Sequence, residues 1–106
     1  MAKYLLKASY TTDGVKGVLK DGGSGRRAAV EQTVRGLGGS LESFYFAFGD
    51  TDAYVVVDLP DNVTATAISL VVNAAGGAQV TTVPLLTPEE ADEAAKKSVE
   101  YRPPGG

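Results

Sequence analysis

Two carboxylates, Asp50 and Asp52, stand two residues apart in the stretch Gly49-Asp50-Thr51-Asp52. In extended backbone, side chains at i and i+2 point the same way. Such a pair can hold Mg²⁺ or Ca²⁺, or share a proton as an acid/base couple. A plainer use competes. Asp side chains in a turn bond nearby backbone amides and let the chain reverse. Two local ligands are too few for a hard cation, so turn geometry is the stronger reading and no metal is assigned.

A second group is Lys20-Asp21-Gly22-Gly23-Ser24-Gly25-Arg26-Arg27. Glycines ahead of a helix expose several amides, and the positive end of the helix dipole favours an anion there. Lys20, Arg26 and Arg27 add positive charge, and a guanidinium grips a carboxylate or phosphate with two parallel bonds. The Gly-Lys-Ser/Thr ending of a phosphate-binding Walker loop is missing. A flexible joint with solvated arginines is the competing reading. Four tyrosines, Tyr4, Tyr10, Tyr45 and Tyr54, fall in strand patterns, and those on neighbouring strands are expected to line one cleft. A phenol can orient a ligand, but strand tyrosines more often pack with the hydroxyl at an edge.

Missing residue types narrow the chemistry. The 106 residues contain no histidine and no cysteine. Histidine is the usual base near neutral pH and the commonest metal ligand, so haem, zinc and ordinary serine-hydrolase chemistry are not expected. Disulfides and thiolate metal sites are excluded within the chain. No catalytic motif stands out, and no cofactor is assigned. The formal net charge is −3, whereas binding to nucleic-acid phosphates requires clustered Lys and Arg. No apolar run approaches the roughly 20 residues that span a bilayer, and the N-terminus has no signal-peptide core. The expectation is a cytoplasmic protein that binds neither nucleic acid nor membrane.

The elements that must position these residues follow from pattern. Lys3–Tyr10 alternates with Tyr4, Leu6, Ala8 and Tyr10 on one face, as a strand does. Thr11-Thr12-Asp13 offers helix caps. Helical spacing then runs to about Lys20, breaks at Gly22-Gly23-Ser24-Gly25, and resumes from about Arg26 to Gly38-Gly39. Ser40–Phe48 and Asp52–Leu59 read as strands joined by a hairpin. A helix follows Pro60-Asp61-Asn62 to Ala75. Its apolar stripe is expected at Val63, Ala67, Leu70, Val71 and Ala74, widened by Ile68 and Val72, so that the helix is well buried. Ala78–Leu86 is a fourth strand. Thr87-Pro88-Glu89-Glu90 has the pattern of a capping box with proline in the first turn, opening a short helix to about Ser98.

The order β-α-β-β-α-β with a short terminal helix is the ferredoxin-like plan, an α+β fold with a four-stranded antiparallel sheet and two helices on one face. Residues 1–98 form one domain, and 99–106 form a tail. The tail, Tyr101-Arg102-Pro103-Pro104-Gly105-Gly106, reads as a stiff arm on a neighbouring subunit or a disordered end. Strand two is expected to carry Phe44, Phe46 and Phe48 on one side and Leu41, Tyr45 and Ala47 on the other. Strand three carries Ala53, Val55 and Val57 opposite Tyr54 and Val56. Both faces are apolar and two helices cover one. A second copy of the chain is therefore the expected cover for the other.

These residues resemble the GYD domain family, small bacterial proteins of largely unassigned function. The resemblance runs from about Lys3 to Glu90. It rests on Tyr4 in the opening strand, the Thr-Thr-Asp-Gly helix start, Lys20, Arg26, the Gly38-Gly39 stop, Tyr45, and Gly49 with Asp52. Where the family has a tyrosine in its Gly-x-Tyr-Asp-like turn, this chain has Thr51. The resemblance implies a ferredoxin-like fold of the dimeric α/β-barrel kind and brings no established reaction.

The functional expectation is a homo-oligomeric module for a small anionic or aromatic ligand, held in a cleft between the sheet and a neighbouring subunit. Lys20, Arg26 and Arg27 would take the anionic end, with Tyr45, Asp50 and Asp52 as further site residues and Phe44, Phe46 and Phe48 bounding the apolar part. One alternative is a cofactor-free isomerase or monooxygenase of the α/β-barrel type, with Asp50, Asp52 or a tyrosine as acid/base group. Another is an assembly protein without a ligand site.

Overall fold

The computed structural model describes all 106 residues. In chain order it contains β1 (Ala2–Tyr10), α1 (Thr12–Gly36), β2 (Ser40–Phe46), β3 (Ala53–Leu59), α2 (Asn62–Ala75), β4 (Ala78–Leu85) and α3 (Pro88–Ala95). The strands form one sheet in the order β2-β3-β1-β4. Every neighbouring pair is antiparallel. This is the ferredoxin-like α+β architecture expected from the element order, with α3 appended.

One face of the sheet carries the core. Tyr4, Leu6 and Ala8 of β1 and Ala53, Val55, Val57 and Leu59 of β3 are buried at alternate positions. The phenol of buried Tyr4 donates to Oδ1 of Asn62 at 2.6 Å, tying the first strand to the start of α2. A register irregularity between Leu41 and Ser43 corrects the sequence expectation for β2. A bulge shifts alternation by one residue, so Leu41 pairs with Val57 and packs on the core beside Phe44, not on the side of Tyr45. The strand also ends at Phe46 rather than Phe48.

The first helix, 25 residues long, consists of two helical pieces that meet at a kink, as expected, but the break is one residue wide rather than four. Only Gly22 leaves helical geometry, at φ 77° and ψ 165°. That region is easily reached only by glycine, and it kinks the helix while Gly23, Ser24 and Gly25 continue it. The helix start is pinned from outside. Thr11 Oγ1 accepts from the Gly14 amide at 3.2 Å and donates to the Gly76 carbonyl at 2.8 Å. The Thr11 amide donates to the Gly77 carbonyl at 3.1 Å. A Cβ on Gly14 would overlap that same Gly77 carbonyl, which explains a glycine inside the first helical turn. At the other end of the chain, the capping box at Thr87 is fully formed, with Thr87 and Glu90 each accepting from the other's backbone.

The second helix corrects another expectation. It turns Ala65 and Ile68 inward, with Val72 half-buried, and leaves Val63, Leu70 and Val71 exposed at 78%, 67% and 69%. The predicted stripe therefore faces out. The sequence Asn62–Ala75 has no charged residue, so nothing in its periodicity marks a solvent side.

The helical layer is incomplete. α1 packs chiefly on β2 and α2 chiefly on β4, with little contact between the two helices. Only 11 of the 106 residues are buried, fewer than a closed two-layer domain of this length would give. Every residue from Leu86 to Gly106 is exposed. The radius of gyration is 16.7 Å, against about 13 Å for a compact domain of this length, because α3 and the tail project from the body.

Candidate ligand site

The gap between the two helices is a cavity. It holds about 150 Å³ and is lined by 15 residues, 13 of them hydrophobic. The floor consists of small side chains on the sheet. Ala8 and Ala53 are cross-strand partners, and Ala78 pairs with Tyr10. On a sheet otherwise carrying valine and leucine, these methyl groups leave the space that the helices fail to fill. Val30 and Val34 of α1 and Ile68 and Val72 of α2 form the walls, with Phe44 on the β2 side.

Three residues with polar side-chain groups line the cavity, Arg26, Thr33 and the phenol-bearing Tyr10. The Thr33 hydroxyl is already used, donating to the Ala29 carbonyl at 3.1 Å. Arg26 is half-buried. The ion pairs of the chain engage Lys3 and Arg35, not Arg26. The guanidinium is thus a cation without a carboxylate partner beside an apolar hollow.

The other expected site residues lie elsewhere. Arg27 and Tyr45 meet in a groove between α1 and the edge strand β2, in company with Glu31 and Glu42. Its carboxylates are paired with cations outside the groove lining, Glu31 with Arg35 at 3.6 Å. Glu42 is in turn held by Lys3 Nζ at 2.7 Å, and Asp58 by the same ammonium at 3.1 Å. These bonds to Glu42 first and Asp58 second raise the Lys3 pKa above its ordinary value. Lys20 is exposed and lines neither the cavity, nor the groove beside β2, nor the hollow beyond Phe46.

The hairpin acids do separate jobs. Asp52 Oδ2 accepts from the Tyr10 amide at 2.8 Å, while the Asp52 amide donates to the Ala8 carbonyl at 2.8 Å. Asp50 offers only its carbonyl, which accepts from Ser9 Oγ at 2.9 Å. No cluster of three or more acidic side chains able to hold a metal ion is present. The tyrosines also divide. Tyr4 and Tyr10 belong to the helix-covered face, Tyr45 and Tyr54 pair with each other on the opposite one, so no single cleft gathers them. Tyr10 stacks toward Phe46 with ring centres 6.5 Å apart, and Phe46 toward Phe44 at 5.1 Å. This aromatic row separates the cavity from a shallower hollow, lined by Val15, Val18, Phe46, Phe48 and Asp52, which shares Tyr10.

Sequence reasoning found Arg26 and missed the floor. The available signal was alanine at core-facing strand positions 8, 53 and 78, where larger apolar residues would be expected in a filled core.

The family model for the GYD domain matches residues 4–95. The chain belongs to the GYD domain family. The match begins at the buried Tyr4 and ends with α3, so it takes in every element of the fold, whereas the projecting tail lies outside it. No curated protein and no solved structure is significantly similar to this GYD domain. No helix in it is long and apolar enough to cross a membrane.

Proposed function

We propose that this GYD protein is a homo-oligomeric cytoplasmic module that binds a small organic anion in the cavity between α1, α2 and the sheet. One observation carries the reading. Arg26 is a half-buried arginine without an ion-pair partner, on the lining of a cavity whose remaining surface is almost wholly apolar. Removing a charge from water is costly unless a counter-charge replaces the solvent, and a carboxylate or similar anion does so with two parallel hydrogen bonds. The apolar body of the ligand would fill the space over Ala8 and Ala53.

Binding is favoured over catalysis by the same lining. Its titratable side chains are one arginine and one tyrosine, Arg26 and Tyr10. A guanidinium stays protonated, and a phenol, with an ordinary pKa of about 10, is protonated at neutral pH and a poor base there. Asp52, the acid/base candidate of the enzyme alternative, is committed to the backbone of Tyr10.

Two uncovered surfaces with apolar centres support assembly, the first bordered by Lys7 and by the Lys3–Asp58 ion pair. The helix-free face carries the cross-sheet row Ser43–Val56–Leu5–Val83, flanked by the Tyr45–Tyr54 pair. The outer side of α2 adds Val63, Leu70 and Val71. Patches of this kind on a small domain are sites of association.

Thermal melting of the wild type and Arg26→Ala across a panel of organic acids tests the reading. At least one acid is expected to raise the wild-type Tm and to lose most of that shift in Arg26→Ala. Equal shifts in both proteins, or none in either, would overturn it.

A further inference from the structure

We infer that the cavity selects monocarboxylic acids whose body is a single six-membered ring or an aliphatic chain of like bulk; this rests on the binding reading above and narrows it. Volume sets the size. The cavity measures about 150 Å³, and an apolar protein cavity of about that volume accommodates benzene. A fused two-ring body exceeds it and would leave part of its apolar surface outside, in the open side of the cavity. The floor fixes that limit from below, because buried Ala8 and Ala53 face each other across β1 and β3. Phe44 offers an aromatic wall, which favours a planar ring through offset or edge-on packing.

Charge sets the valence. Arg26 is the single charged residue on the lining. A second carboxylate, or the second charge of a phosphate monoester, finds no second cation on the lining, and turned inward it would lie against apolar walls. The planar guanidinium fork matches the two oxygens of one carboxylate. With the Thr33 hydroxyl donated to Ala29, the phenol of Tyr10 is the remaining polar group on the lining, so ring substituents away from it should be apolar.

Calorimetric titration of the full chain with benzoate, hexanoate, benzyl alcohol, 2-naphthoate and phthalate tests the class. Benzoate or hexanoate is expected to bind at least tenfold more tightly than the neutral, two-ring and doubly charged compounds. Arg26→Gln should erase the preference for benzoate over benzyl alcohol. Ala8→Val should abolish binding by filling the floor. Should that variant fail to fold by circular dichroism, Ala29→Leu, reaching in from α1, provides the same obstruction from a more exposed position. Naphthoate, phthalate or benzyl alcohol binding as tightly as benzoate would overturn the class and leave the binding reading standing. No heat from any of the five, with none raising Tm, would overturn both, as would a cavity plugged by a neighbouring copy.

Discussion

The Asp52 carboxylate accepts a hydrogen bond from the backbone amide of Tyr10 across 2.8 Å. The hairpin between β2 and β3 is thereby fastened to the end of β1, and the amide-to-carbonyl bond from Asp52 to Ala8 fastens it a second time. Hydrogen bonds to a charged acceptor contribute more than neutral ones, and losing the acceptor leaves the donor unpaired. Asp52→Ala should therefore cost about 2 kcal/mol in chemical denaturation. Asp50→Ala, which removes a side chain that binds nothing, should stay within about 0.5 kcal/mol of the wild type. Equal costs would contradict the division of labour between the two acids.

Gly14 and Gly17 should respond in opposite directions to alanine. A methyl at Gly14 would overlap the Gly77 carbonyl, so the start of α1 would have to lift away from the turn that precedes β4. Overpacking of this kind costs about 1–3 kcal/mol. Gly17 has open space around its Cβ position, and alanine there should stabilise the helix by up to about 1 kcal/mol. Urea denaturation of the two variants distinguishes them, and a stable Gly14→Ala would show that the contact is slack.

The N-cap of α2 predicts a pH dependence. Asp61 Oδ1 accepts from the Thr64 amide and from the Thr64 hydroxyl, both at 2.8 Å. These bonds, the backbone one first, lower the Asp61 pKa from its ordinary value near 3.8. A carboxylate with a depressed folded-state pKa stabilises the fold above the ordinary value, and that contribution is lost as pH falls through the folded one. The difference in Tm between the wild type and Asp61→Ala should thus be constant from pH 7 down to about pH 5 and shrink below the ordinary value near 3.8. A difference unchanged to pH 2 would mean that the cap does not depend on the charge.

Assembly through the helix-free face gives a direct expectation. Val56 lies in the middle of the apolar row, between Ser43 on β2 and Leu5 on β1. Val56→Glu should lower the oligomer order in sedimentation equilibrium while leaving the far-ultraviolet spectrum unchanged. A wild type that sediments as a monomer at micromolar concentration would remove the assembly from the proposal.

Much of the fold was legible because local signals agreed with one another. The Thr87 capping box, the alternation of Tyr4, Leu6 and Ala8, and the glycines after both long helices each have a local cause that needs no tertiary context. The misreadings share a different cause. The bulge at Leu41–Ser43 shifts one side chain to the opposite face, and alternation alone does not announce it. The spacing of Val63, Leu70 and Val71 points them inward because α2 is apolar all round, and only packing on β4 decides that Ala65 and Ile68 face the core. Arg26 could be singled out by type and setting. Its cavity could not, since it arises from a distance between two helices and from three alanines far apart in the chain, Ala8, Ala53 and Ala78.

An acid in the space between α1 and α2, with its charge on Arg26, should be visible in a crystal soaked with 4-bromobenzoate and measured at the bromine edge. The expected result is an anomalous peak inside the cavity, over Ala53 and against Val72, with the carboxylate within hydrogen-bonding distance of the Arg26 guanidinium. Bromine found only on the helix-free face or the outer side of α2, with the cavity closed or filled by protein, would contradict it.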